Sequence, residues 1–279
     1  MTKKRGFTLA EVLITLGIVG VVAALTAPAL VMSSRNEANA ARLSTVVSNM
    51  ENAFQSAIAQ EGADNLYGTS LWDFGGGSRL NAAEGNRAQF VGRLGQYMIL
   101  NGYKDSAGEF YGTIPTCPMS TTGGTNSQQC ISGNGQRFAG DGRMFTIETK
   151  NGAAIFIRAY RRNGLAAAKQ AAIARGCTYY TNAADVIIDV NGKNSPNTFG
   201  RDIFWFQLGE NGVLYPIGGR DTNFVDEWQD ENGNPTHHGM WDTAGNQASC
   251  TDNDKGNVAG NRGIGCAGRV IAEGYKINY

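Results

Sequence analysis

A chain of 279 residues is long enough for one domain, or two small ones, with a substantial apolar core. Its 24 basic and 24 acidic side chains balance, which argues against a nucleic-acid surface, since that requires a basic stripe. Glycine reaches 38 residues, about twice its usual ~7% share, yet aromatic and β-branched residues stay plentiful, so the composition is that of a turn-rich fold and not of disorder.

Lys3, Lys4 and Arg5 form a basic leader that ends at Gly6. The apolar run that follows carries a single acid, Glu11, and residues 12–32 hold no charge at all. At ~1.5 Å rise per residue such a run crosses a hydrocarbon core of ~30 Å. The basic leader predicts a cytoplasmic N-terminus. Three readings compete. A secretory signal peptide has an apolar region of roughly 7–15 residues, shorter than this one, although residues 23–29 mimic its cleavage site. A plain membrane anchor explains the length and the basic flank but not Glu11, because a carboxylate at the end of a membrane helix is expensive to keep. The third reading places a cut between Gly6 and Phe7, ahead of the apolar run.

The stretch Gly6-Phe7-Thr8-Leu9-Ala10-Glu11 resembles the processing site of type IV pilins and of the pseudopilins of type II secretion systems. The resemblance implies that a prepilin peptidase cuts after Gly6 and that Phe7 becomes the N-methylated first residue. Glu11 then stands at the fifth mature position, where the family has its glutamate. Gly20 and Pro28 fall at the mature positions where the family commonly has glycine and proline. Cleavage would take the basic residues from 24 to 21 against 24 acidic ones, a charge near −3.

The implied role is that of a structural subunit, not an enzyme. The chain would enter the bacterial inner membrane as a single pass, with its head extracytoplasmic. Other pilin subunits and an inner-membrane assembly platform would then build it into a pilus or pseudopilus. The alternative is a minor pilin whose head binds a surface, a glycan or DNA, which the size of the head favours. Physical chemistry supports Glu11 as an assembly residue. Its carboxylate is tolerable in an apolar setting when a cation meets it, and the free amine of a neighbour's Phe7 is such a cation. The pair would set register as a lone polar residue does in a coiled coil. Pro28 is expected to kink or locally melt the helix. Gly20, like Gly17, either allows close helix packing or reflects the ordinary frequency of glycine in membrane helices.

Beyond the membrane run, Leu43, Val46, Val47, Met50, Phe54 and Ile58 recur three or four apart, so the helix is expected to continue, amphipathic, to about residue 60. This divides the chain into a leader (1–6), one long helix (7–60, membrane span about 12–32) and a head (61–279). The expected fold class is α+β, a long N-terminal helix packed on an antiparallel β-sheet, as in pilins. Residues 62–142 read as loop-rich, with a short helix over 88–100. Gly75-Gly76-Gly77 lacks the residues of a phosphate loop. Residues 144–149 and 154–160 flank Asn151-Gly152 as a hairpin. An Ala-rich helix is expected over 164–176, a buried strand over 186–190, and a second hairpin over 203–217 around Asn211-Gly212. A short strand pair is expected over 267–279.

Five cysteines suit an oxidising compartment, and no C-x-x-C occurs. Cys117 with Cys130 and Cys250 with Cys266 are the favoured loop-closing pairs, leaving Cys177 over, although spacing does not determine connectivity. Residues 189–202 place Asp189, Asn191 and Asp202 in a tight loop, which could supply oxygen ligands to Ca²⁺. The match to an EF-hand is poor, and the favoured reading is a connection whose Asp and Asn side chains cap its own backbone. The acidic residues of 221–231 read as a solvated loop. His237 and His238 are adjacent and so poorly placed to share a metal, and Trp228 and Trp241 read as core.

Overall fold

The computed structural model describes residues 8–73, 86–105, 109–110, 144–159, 182–194, 197, 199–218, 250 and 265–278. The expected 164–176 helix, Gly75-Gly76-Gly77, the 221–231 acids, His237, His238, Trp228, Trp241, Cys117, Cys130 and Cys177 lie outside these residues.

Helix α1 runs unbroken from Leu9–Glu61, 53 residues or roughly 80 Å at ~1.5 Å per residue. It passes through Pro28 without melting. Proline removes one backbone donor there, and the turns on both sides keep their bonds. The helix stops at Gly62, whose φ of 62° is left-handed. The Gly62 and Ala63 amides turn back to the carbonyls of Ala59 and Ile58, a glycine-closed end that a Cβ would strain.

Among the described residues six strands follow in chain order as one antiparallel sheet: β1 (Leu100–Lys104), β2 (Phe145–Thr149), β3 (Ala154–Ala159), β4 (Asn182–Asp189), β5 (Ile203–Gly209) and β6 (Leu214–Pro216). Each strand pairs with the next in sequence. The register sorts side chains by face. Phe145 lies opposite Ile157, Ile157 opposite Val186, and Val186 opposite Phe206. These belong to the core that also contains Leu43, Val46, Val47, Met50 and Phe54 of α1. Residues one step along the strands belong to a second cluster on the other face, with Phe156 opposite Ile187 and Ile187 opposite Trp205. Burial on both faces explains why β3, β4 and β5 read as nearly continuous apolar runs rather than as alternation. Arg158 and Asp185 are direct cross-strand partners and form a buried ion pair at 2.5 Å.

Helix α2 (Asn86–Leu94) is shorter than the expected 88–100 helix. It buries Phe90 and Leu94, then turns after Gly95 so that Leu100 opens edge strand β1. Two short 3-10 turns, Leu66–Gly68 and Ser70–Trp72, close the far end of α1. There Trp72 meets Phe54 and Phe90 edge-on, at centroid distances of 6.0 and 5.7 Å.

The C-terminal region departs from expectation. It forms helix α3 (Cys266–Ala272) in place of a strand pair. Its buried residues, Cys266, Ala267 and Val270, keep helical spacing. Left-handed backbone at Gly274 and Tyr275 then turns the tail, with the Tyr275 amide bonded to Val270 O at 2.7 Å.

Polar contacts fix the angle between helix and sheet. The Leu214 amide at edge strand β6 donates to Glu51 Oε1 at 2.9 Å, and Gln55 donates to the carbonyl of Asn211. At the far end Glu61 accepts from the Ser70 amide at 2.6 Å, the Ser70 hydroxyl at 2.8 Å and the Tyr97 hydroxyl at 3.3 Å. Desolvation pushes the Glu61 carboxyl up, but these hydrogen bonds and the nearby charge of Arg93 outweigh it, so its pKa lies below the ordinary 4.5.

Two predictions follow from this packing. Phe54 is fully buried, so Phe54→Ala should lower stability by about 3–5 kcal/mol, read by denaturant unfolding of the full chain in detergent. A depressed carboxyl stabilises the fold above its unfolded pKa and loses that contribution as pH falls through the folded value. The Glu61 contribution should therefore be present above pH 4.5 and fade below it. Because the site is exposed the effect is small, and Glu61→Gln should flatten the acid limb of the stability curve without moving the plateau much.

Candidate functional site

The first half of α1 stands clear of the head. Leu9, Leu13, Ile14, Leu16, Ile18, Val19, Leu25 and Leu30 are all exposed, Leu9 at 80%. This stretch is long and apolar enough to cross a membrane. None of its strongest apolar window is buried within the chain, so it is not a core helix. The first buried position is Asn39, one turn after the charges resume at Arg35. Gly20 and Pro28 lie on this exposed half, and a Cβ at Gly17 or Gly20 would meet nothing.

Glu11 sits in the first turn, where the unpaired amides of a helix start favour a negative charge. Its carboxylate accepts from the Thr8 amide at 2.8 Å and the Thr8 hydroxyl at 2.9 Å. The Thr8 oxygen in turn accepts from the Glu11 amide at 3.2 Å. This reciprocal pair is a capping box. The acid that looked misplaced in an apolar run is thus also the helix's start signal. The Thr-x-x-Glu spacing carries that information in the sequence, and a reading centred on the membrane run passes over it. Gly6 and Phe7 lie outside the described residues.

The 189–202 loop brings its three candidate ligands together. Asp189 and Asp202 are fully buried. Asp202 Oδ2 accepts from Asn191 Nδ2 at 3.0 Å and from the Asn197 amide at 2.8 Å. Asp189 Oδ1 accepts from the Asn191 amide at 3.1 Å. Asn197 is buried with a left-handed φ of 48°, and its amide nitrogen, as the network assigns it, donates to Gly192 and Asn194 carbonyls at 2.9 Å each. Gly192, also left-handed, approaches Gly152 so closely that a Cβ would stand 2.4 Å from its carbonyl oxygen. These bonds cap the connection from within. Asn191 Oδ1 is buried and has no hydrogen bond among the described residues. Among the described residues no three His, Cys, Asp or Glu side chains group as metal ligands.

Cys250 and Cys266 form a disulfide with Cα atoms 4.9 Å apart. It ties α3 to the chain ahead of it, and Arg269 Nη1 reinforces the link by donating to Cys250 O at 3.2 Å.

A loop held by its own hydrogen bonds predicts that the melting temperature is the same in calcium and in EDTA. A rise in calcium would overturn that expectation. Asp202→Ala should cost about 1–3 kcal/mol by leaving the Asn197 amide buried and unpaired, measured by thermal unfolding.

No curated protein and no solved structure matches the chain. Residues 1–27 match the family model described as the prokaryotic N-terminal methylation motif. The match begins in the basic leader and takes in Gly6, Phe7, Glu11 and Gly20; Pro28 is the next residue beyond it. This motif is the type IV pilin and pseudopilin signature, and it is joined here to a pilin-like arrangement, a long helix half exposed and half laid on an antiparallel sheet.

Proposed function

We propose that the chain is a structural subunit of a type IV pilus-like filament or of a type II secretion pseudopilus. Prepilin peptidase trims it after Gly6, Phe7 is N-methylated, and the exposed half of α1 carries it first in the inner membrane and then in the filament. The observation that carries this reading is the methylation motif continuing into a helix whose apolar half has no partner in its own head.

The helix serves two solvents in succession. In the bilayer its side chains face lipid; in a filament they face the same segment of other subunits. Lipid tails are as apolar as leucine, so apolar area alone gives little preference between these states. A polar group at a defined height does. Glu11 supplies it, one helical turn above the cut, and the amine freed on a neighbour's Phe7 neutralises it. An assembly ATPase and a platform membrane protein would drive the transfer. The head, outside the membrane, rides on the filament surface.

Gly6→Ala should leave the leader attached, and mass analysis of the purified chain should find no mature form. Recovery of normally trimmed protein would remove the cleavage assignment. Glu11→Ala should be trimmed and inserted normally yet yield few filaments on shearing; undiminished filament yield would refute its role in register.

A further inference from the structure

We propose that Arg35, Arg42 and Lys276 form a basic collar under the head that binds anionic phospholipid headgroups where α1 leaves the bilayer. The proposal rests on the membrane-spanning reading above. The uncharged run ends with Ser34, two residues past the expected span, and Arg35 lies about 4.5 Å beyond Met32 along the axis. Headgroups extend roughly 5–8 Å beyond the hydrocarbon on each side, so Arg35 sits among them. Arg42 lies about 15 Å beyond Met32 and, seven residues from Arg35, shares its helix edge. A long side chain and a Debye length of ~8 Å bring it within range of the surface.

The third member arrives from the other end of the chain. Below α3 the tail runs back along α1 toward the membrane. Tyr275 reaches the level of Ser44, its neighbour in a side-chain hydrogen bond, and the Ile277 carbonyl accepts from Asn36 Nδ2 at 3.0 Å. Lys276 lies between these anchors, exposed, at the level of the two arginines.

Most other described bases of the head are paired; of those without a carboxylate, Lys150 stands in the β2–β3 turn and Lys193 over the Phe110 ring at 4.9 Å. Arg87, Arg93, Lys104, Arg158 and Arg269 each have a carboxylate partner. Arg35, Arg42 and Lys276 are exposed, and none forms an ion pair with a described residue. Glu37 is the one acid on α1 between Met32 and Arg42, so the three bases keep an excess of positive charge. Arg201 also borders this rim, where its carbonyl accepts from Asn39 Nδ2 at 3.1 Å. A basic rim fixed beside a membrane helix meets the phosphate plane at a set height, and anionic headgroups complete its charge. Each base near such a surface favours an anionic over a neutral lipid by about fivefold.

The full chain, reconstituted in vesicles, tests this with spin-labelled phosphatidylglycerol and phosphatidylcholine. Electron spin resonance reads the preference of the protein's boundary lipid for one label over the other. The intact chain should prefer phosphatidylglycerol severalfold, and the preference should shrink as salt is raised. The triple variant Arg35→Gln, Arg42→Gln, Lys276→Gln should lose most of that preference although the leader bases remain, whereas Lys150→Gln should keep it. A triple variant that retains the intact chain's preference overturns the collar, as does an intact chain with no salt-sensitive preference. Flotation with phosphatidylcholine vesicles separates the two layers of the argument. A chain that fails to float removes the membrane reading itself, and one that floats without lipid preference removes the collar alone.

Discussion

One helix must satisfy two environments, and the rest of the structure follows from how α1 divides that task. Its apolar half is uniform around the axis, with every large side chain exposed. Its second half is one-sided: Leu43, Val46, Val47, Met50 and Phe54 face the sheet while Asn49, Asn52 and Gln55 stay outside. A helix apolar on all sides suits lipid or other helices; one with a single apolar stripe suits a globular core. The change falls between Met32 and Asn39, within about two turns. Arg35, Asn36 and Asn39 occupy it, and both asparagines are tied to head carbonyls. The head is therefore fixed to the helix from the point where its apolar half ends, through the tail at Ile277 and the β4–β5 connection at Arg201.

The sheet meets this helix with a simple topology. Every strand pairs with its sequence neighbour, and the β2–β3 and β5–β6 pairings close over only four residues each, so their loop-closure cost is small. The face turned to α1 is built from Phe145, Ile147, Ile155, Ile157, Val186, Ile188, Phe204 and Phe206, all fully buried. Glu51 and Gln55 then reach past the apolar stripe to the β5–β6 turn, so the angle between helix and sheet rests on directed hydrogen bonds as well as on packing. At the far end Glu61 instead holds Ser70 of the second 3-10 turn. The three acids of α1 that bond elsewhere thus have separate positions: Glu11 at its start, Glu51 against the sheet edge and Glu61 at its close.

Much of this is legible in the sequence because each signal is local. The helical spacing from Leu43 to Phe54 fixes the buried face, and Asn151-Gly152 and Asn211-Gly212 mark the two hairpins. The strands themselves announce the sheet through Ile155–Ile157 and Phe204–Phe206. What escapes is decided by tertiary context. Leu100–Lys104 contains Asn101, Gly102 and Lys104, with little β-propensity, and becomes a strand because β2 offers it an open edge. Residues 266–272 mix small and branched apolar side chains that fit strand or helix. The disulfide to Cys250 and the burial of Ala267 and Val270 select the helix. The 189–202 loop shows the limit most plainly. Alternating Asp and Asn oxygens are equally the vocabulary of cation ligation and of backbone capping, and only the placement of Asn197 and Gly192 reveals the bonds that close it.

The capping box at Thr8 and Glu11 links the start of folding to the proposed assembly. In the isolated chain the Glu11 carboxylate already has donors, so it is not left bare at the edge of an apolar run. A neighbour's amine must compete with the Thr8 amide and hydroxyl or share the carboxylate with them. A carboxylate has two oxygens and about four acceptor sites, so sharing is open to it. Sharing would make the contact directional, since the box fixes where the remaining lone pairs point. A subunit arriving one turn too high or too low would meet Ile14 and Thr15, or Phe7 and Thr8, and no carboxylate, so its amine would lack a counter-charge. In the proposed filament the apolar half of α1 would supply adhesion nearly indifferent to height, and the pair at its N-terminus would supply the height.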